Sequence, residues 1–242
     1  MKRTLTLAII AIFLSTAIWA QEEEKKPTSI SETIYILPKA GMASKFEAAV
    51  KAHNDKFHPE GPYLAGLRKV DYGANAGWYV WVMKGTYASL DSRPDDEAHE
   101  SDWSSTIEPM VEKYGKVGLW EYDEELSYGL DMFNKTEKYQ VWAVDLKRGQ
   151  NEAFKALIGK VQKAYESMGN RAFLVFNNSV HTADGPDVAM VWSFNNFAEL
   201  DSDWGTKDAY EKLNGEGSWA ELLAGWLEIT NEYDAELRSF VR

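Results

Sequence analysis

The chain has no cysteine, so it folds without disulfides and offers neither a thiolate nucleophile nor a thiolate metal site. Basic charge is short: 26 Lys and Arg stand against 38 Asp and Glu, for a net charge of -12. No basic run occurs. A nucleic-acid partner is therefore excluded, because phosphate binding draws on clustered cations. A Gly-rich phosphate loop, a His-Glu-x-x-His pattern and a Gly-x-Ser-x-Gly elbow are all missing, which sets aside the chemistries built on them. Histidine is scarce, at four residues.

A long apolar run is missing too. The N-terminal stretch Leu5 to Trp19 falls short of the ~20 residues of a spanning helix. It follows Met1-Lys2-Arg3 and ends at Ala20, ahead of the charged Gln21-Glu22-Glu23-Glu24, which is the pattern of a signal peptide (residues 1–20) cleaved after Ala20. The mature chain then has 222 residues (242 minus 20) and a charge of -14 (-12 less Lys2 and Arg3). Export to the periplasm or the exterior is expected, with an uncleaved signal as the only route to a membrane. Residues 21–32 read as a flexible leader.

What the chain does have is an internal repeat. Leu200-Asp201-Ser202-Asp203-Trp204 occurs once before, split into Leu90-Asp91-Ser92 and Ser101-Asp102-Trp103. Gly41 and Phe46 are answered by Gly149 and Phe154, and Glu121 to Leu126 by Glu232 to Leu237. The offsets of 108, 110, 101 and 111 residues keep their order. They place a nine-residue insertion, mostly Arg93 to Glu100, in the first copy. The copies span 33–127 and 138–242, joined by a connector at 128–137.

Each copy reads as β-α-β-β-α-β. In the first, Thr33 to Leu37 is a strand, and Phe46, Val50, His53 and Phe57 recur at helical spacing. Residues 63–70 and 77–84 are two strands across a glycine turn. Ile107, Met110, Val111 and Tyr114 predict a helix over 104–115, and Glu121 to Ser127 a charged edge strand. In the second, the order is strand 139–146, helix 151–167 stopped by Gly169, strands 171–180 and 187–194, a helix whose face carries Trp219, Leu222, Leu223, Trp226 and Leu227, and a last strand over 232–241. Strand 78–83 is apolar on both faces, so both faces are covered. Helices cover one, and the second copy's sheet is expected to cover the other. Tyr79, Trp81 and Met83 align with Ala189, Val191 and Ser193, large against small, as interlocking halves or a cavity in the second half would need.

The fold class is thus α+β, with two fused ferredoxin-like repeats forming an intramolecular barrel. Over residues 33–242 this resembles the dimeric α+β barrel superfamily, which includes families similar to antibiotic-biosynthesis monooxygenases, NIPSNAP proteins and chlorite dismutases. The resemblance lies in topology, repeat length and element order. It implies a ligand such as a quinol, an aromatic polyketide or haem, or ligand binding without catalysis, in a pocket between sheet and helices. Fold alone does not choose among them.

Among the residues, His53 stands on an apolar stripe where the second copy has Val161. A general base or haem ligand fits there, and so does a core-edge histidine bonded to a carboxylate or carbonyl. His58 is five residues on, about 140° round a helix, so helical spacing predicts no chelate with His53. His99 and His181 are expected to be exposed. No metal site and no cofactor are expected, with haem at His53 the lesser alternative. Asp102 and Asp203, each followed by tryptophan, are either carboxylates facing a substrate or caps of the following helix. Trp81, Trp103, Ala189, Val191, Ser193 and Trp204 are the candidate pocket. The expected function is an exported barrel that binds a small apolar or aromatic molecule, as a monomeric pseudo-dimer or a homo-oligomer, with a cofactor-free monooxygenase-like activity as its enzymatic form. The alternative is a non-catalytic envelope or interaction protein. A cavity above about 300 Å³ beside His53 or beside Ala189-Val191-Ser193 marks the former, and a self-filled core the latter.

Overall fold

The computed structural model describes residues 26–93, 96–182 and 185–242; the stretch expected to be a signal peptide, residues 1–20, lies outside them. Among the described residues no helix is long and apolar enough to cross a membrane. The first half runs β1 (Ser29–Pro38), α1 (Ala43–Phe57), β2 (Ala65–Tyr72), β3 (Tyr79–Thr86), α2 (Tyr87–Asp91), α3 (Glu97–Asp102) and β4 (Val111–Tyr122). A short helix α4 (Leu130–Phe133) lies in the connector. The second half runs β5 (Lys138–Leu146), α5 (Asn151–Met168), β6 (Phe173–Asn178), β7 (Val188–Phe194), α6 (Thr206–Asn214), α7 (Ser218–Ile229) and β8 (Thr230–Val241).

The strands close into a barrel in the order β1-β3-β2-β8-β5-β7-β6-β4. Within each half the order is the same, β4-β1-β3-β2 and β8-β5-β7-β6, so the tandem repeat folds as two copies of one sheet. The halves meet at two antiparallel seams, β2 with β8 over Leu67 to Tyr72 and β4 with β6 at Trp120 to Tyr122. Closure removes the sheet edges, so the charged edge strand expected at 121–127 does not exist. β4 starts at Val111, and the chain leaves it after Tyr122.

The helix expected over 104–115 is also replaced. After α3 come one wide π turn, Trp103–Ile107, and one tight turn, Glu108–Met110. Pro109 removes a backbone donor and ends the helical ladder. Ser105 and Thr106 turn their hydroxyls back onto the carbonyls of Ser101 and Asp102, a contact that bends a helix. The apolar spacing at 107–114 is split between these turns and the start of a strand. β1 begins at Ser29, four residues inside the stretch expected to be leader. In the second half the predicted long helix is two, parted at Gly215 and Gly217. Of its expected inward face, Trp219, Leu222 and Trp226 pack on the core, while Leu223 and Leu227 are exposed.

The doubly apolar strand behaves as expected, but the alignment of its faces does not. Tyr79, Trp81 and Met83 pack with Phe46 and Val50 of α1 on the helix side. Their helix-side counterparts in the second half are Val188, Met190 and Trp192, against Phe154 and Ile158 of α5. Ala189 and Val191 lie on the other face with Tyr139, Val141 and Leu174. A one-residue slip exchanges the faces of a strand, so the large-against-small comparison set helix-facing residues against barrel-facing ones.

The barrel interior is filled by its own side chains. Trp120, Tyr122, Phe176 and Phe240 pack against Tyr139 and Leu174. A polar network crosses it: Arg238 on β8 donates to Glu236 at 2.7 Å and to the Tyr35 hydroxyl at 2.5 Å, and Asn75 donates to the other oxygen of Glu236 at 2.6 Å.

Candidate histidine site

The site lies where α1 ends and the part of the insertion from Asp96 onward packs against it. Phe46, Val50, His53 and Asn54 are the buried face of α1, and His53 is 1% exposed. The helix stops at Phe57 because Pro59 disfavours helical geometry in the residue before it. His58 takes φ -133° and ψ 38°. Its ring thereby leaves the helical path, which is why the 140° argument against a His53–His58 pair fails. The insertion supplies the third ring. Asp96 accepts from the Ala98 backbone N–H at 2.9 Å and starts α3, placing His99 one turn along. His99 is half-buried, against the expectation that it is exposed.

The three imidazoles pack together. Ring centroids are 4.8 Å apart for His53–His99, 5.4 Å for His53–His58 and 5.0 Å for His58–His99. One ring nitrogen from each lies within 4.8 Å of the others. His53 Nδ1 donates to Asp102 Oδ2 at 2.8 Å, and His58 Nδ1 donates to the Tyr63 carbonyl at 3.1 Å. A carboxylate and a carbonyl only accept, so in both residues the proton sits on Nδ1 and Nε2 presents a lone pair. His99 Nε2 stands 3.0 Å from His58 Nε2 and is the donor of that contact. His53 Nε2 is buried with no hydrogen-bond partner.

Aromatic rings wall the cluster. Phe57 is 5.0 Å from both His53 and His99, Trp103 5.1 Å from His53 and Trp81 5.4 Å from His58. Trp81 is held by its Nε1–H on Asn54 Oδ1 at 3.0 Å, and Trp103 by its Nε1–H on the Tyr114 hydroxyl at 3.0 Å. Burial pushes the His58 imidazole down to about 4, with His99 and His53 adding to the effect. Burial also lowers His53, against the opposing pull of Asp102. Lys56 Nζ lies 3.8 Å from the second oxygen of Asp102.

The sequence-predicted residues divide into three places. His53, Asp102, Trp81 and Trp103 meet at the cluster. Ala189 and Val191 line the barrel interior, and Ser193 accepts the Ala172 backbone N–H at 3.0 Å. Asp203 accepts the Gly205 N–H at 2.8 Å just ahead of α6, whose N-cap is Gly205 without a side-chain cap bond, so the expected cap of the following helix is not formed. Trp204 donates to the Glu199 carbonyl at 2.8 Å and carries the Arg171 guanidinium 3.9 Å from its ring. The two Asp-Trp pairs thus differ in role: Asp102 ends its helix and serves His53, whereas Asp203 precedes one. His181 is exposed and lies 3.0 Å from Asp187. Two surface grooves, of about 820 Å³ around Glu121 to Leu126 and about 280 Å³ around Leu146 to Asn151, lie away from both His53 and Ala189.

No protein-family model matches the chain, and no curated protein matches it by sequence. Solved structures match its fold. A candidate monooxygenase from Lactobacillus acidophilus NCFM superposes with a TM-score of 0.58 at 13% identity, over 89% of this chain and 95% of that one. Another, from Fusobacterium nucleatum subsp. nucleatum, gives 0.55 at 10% identity over 89% and 94%. A chlorite dismutase from Candidatus Nitrospira defluvii, in complex with imidazole, gives 0.53 at 9% identity over 88% and 92%. These likenesses are of fold alone, an α+β barrel, which in this chain is closed by two copies of one four-stranded sheet order.

Haem at His53 would require the cluster to part, because His58, His99 and Trp103 already occupy the space around the ring.

Proposed function

We propose that this is an exported, monooxygenase-like α+β barrel protein that binds its ligand at the histidine cluster of the first half rather than inside the barrel. One observation carries the reading: His53 Nε2 is buried, unpartnered and aimed among two further imidazoles. An unpaired buried acceptor costs about 1–3 kcal/mol, and a ligand at that lone pair removes the cost. The self-filled interior supports the non-catalytic alternative for the barrel itself, where Arg238, Glu236 and Tyr35 satisfy one another. The test is native mass spectrometry with an absorption spectrum on mature protein purified from its own host. A bound species that is lost in His53→Ala supports the reading. A clean apo mass for wild type, with His53→Ala indistinguishable from it in every ligand screen, sinks it.

A further inference from the structure

We propose that His53, His58 and His99 together bind one divalent transition-metal ion, each through a ring nitrogen. This deepens the ligand-binding reading and rests on it. Metal–imidazole bonds of about 2.0–2.1 Å set neighbouring ligand nitrogens about 3.3 Å apart around a tetrahedral ion. The His58–His99 nitrogens are already at 3.0 Å, and since one nitrogen of each ring lies within 4.8 Å of the others, the widest pair closes by no more than about 1.5 Å on binding. His99 stands on α3, where no residue is fully buried, while His53 and His58 are buried.

The surroundings have what a metal site needs beyond its ligands. A ligating histidine typically donates its other N–H to a carboxylate or backbone carbonyl, which fixes the tautomer and raises ligand basicity. His53 has Asp102 and His58 has the Tyr63 carbonyl in those places. A third feature is the stranded Nε2 of His53, for which hydrogen bonding within the cluster offers no partner.

The donor set chooses the class of ion. Three imidazoles with no thiolate and no carboxylate among the ligands suit Zn²⁺, Cu²⁺, Ni²⁺ or Fe²⁺, and not Mg²⁺ or Ca²⁺, which take oxygen ligands. Three ligands also leave a coordination position open, as in sites where a metal meets water or substrate. The insertion that brings His99 has no counterpart in the second half, where Val161 stands in place of His53. Among the described residues the cluster therefore occurs once.

The experiment is titration of chelator-stripped mature protein with Zn²⁺ and Cu²⁺ by calorimetry, with Co²⁺ absorption as a geometric probe. The proposal expects one equivalent bound, intense visible cobalt bands of a low-coordinate nitrogen site, and no response to Mg²⁺ or Ca²⁺. His99→Ala, which removes a half-buried ring from α3, should leave the metal-free protein folded with one cooperative melting transition and lose the single binding event. Asp102→Asn should weaken binding about 10- to 100-fold while the stoichiometry stays at one. Absence of binding, or binding untouched by His99→Ala, overturns the proposal. If an organic ligand that depends on His53 copurifies instead, the metal falls and the ligand-binding reading stands; if neither binds, both fall.

Discussion

At the scale of single residues, the histidine site shows what a sequence pattern can and cannot reach. His53 was legible because it sits on an apolar stripe opposite a plain core valine, and Asp102 because it recurs beside tryptophan. His58 was not, because helical spacing describes a residue only while the helix continues, and Pro59 ends it one residue too soon. His99 was hidden in a polar insertion whose composition reads as surface. The second Asp-Trp pair is a structural counterpart with its own test. Although burial alone raises the Glu199 carboxyl, the Asn195 N–H and the Arg171 guanidinium at 3.0 Å outweigh it and hold the group below the usual carboxylate range. A depressed folded-state value adds stability above the unfolded value and loses it as pH falls through the folded one. Glu199→Gln should therefore cost stability at pH 7, by about 1 kcal/mol for a partly exposed charged hydrogen bond, and less at pH 3. Urea unfolding of both proteins at the two pH values checks this, and an equal deficit at both would refute it.

At the scale of elements, the helices α1 and α5 were legible because each shows one apolar face over at least four turns, while short mixed segments were not. Ile107, Met110, Val111 and Tyr114 have helical spacing, yet the back-bonded hydroxyls and Pro109 convert the stretch into turns and a strand. Local chemistry outweighs periodicity when only a handful of apolar positions define the period. The stop of α5 is a firmer signal. Gly169 has φ +68° and its backbone N–H bonds the Tyr165 carbonyl at 3.0 Å, the left-handed end that glycine favours. A Cβ there would meet nothing closer than 4.0 Å, so Gly169→Ala isolates backbone conformation from packing. The expected loss is about 1 kcal/mol, read as a lower denaturation midpoint with an unchanged slope. A neutral result would mean that the helix end relaxes to another cap.

At the scale of the molecule, the repeat carried the architecture: two copies of one sheet order, each leaving its outer strands for the other to pair. The one-residue slip in aligning the copies left topology intact and misplaced only the faces, since a barrel depends on strand order and a pocket on which side chains point inward. Pairing across both seams makes each half incomplete alone. β2 and β4 of the first half, and β6 and β8 of the second, would be open edges, and open edges recruit partners. The intact chain should accordingly unfold in one cooperative step, with calorimetric and van't Hoff enthalpies equal. An isolated first half, residues 26–127, has the same two edges at the same ends of its sheet as its partner half. It should close a barrel with a second copy of itself and elute as a dimer that carries two histidine clusters. A soluble, folded monomer of that half would show that the α1 core with Phe46 and Val50 suffices without the seams, and that closure contributes shape rather than stability.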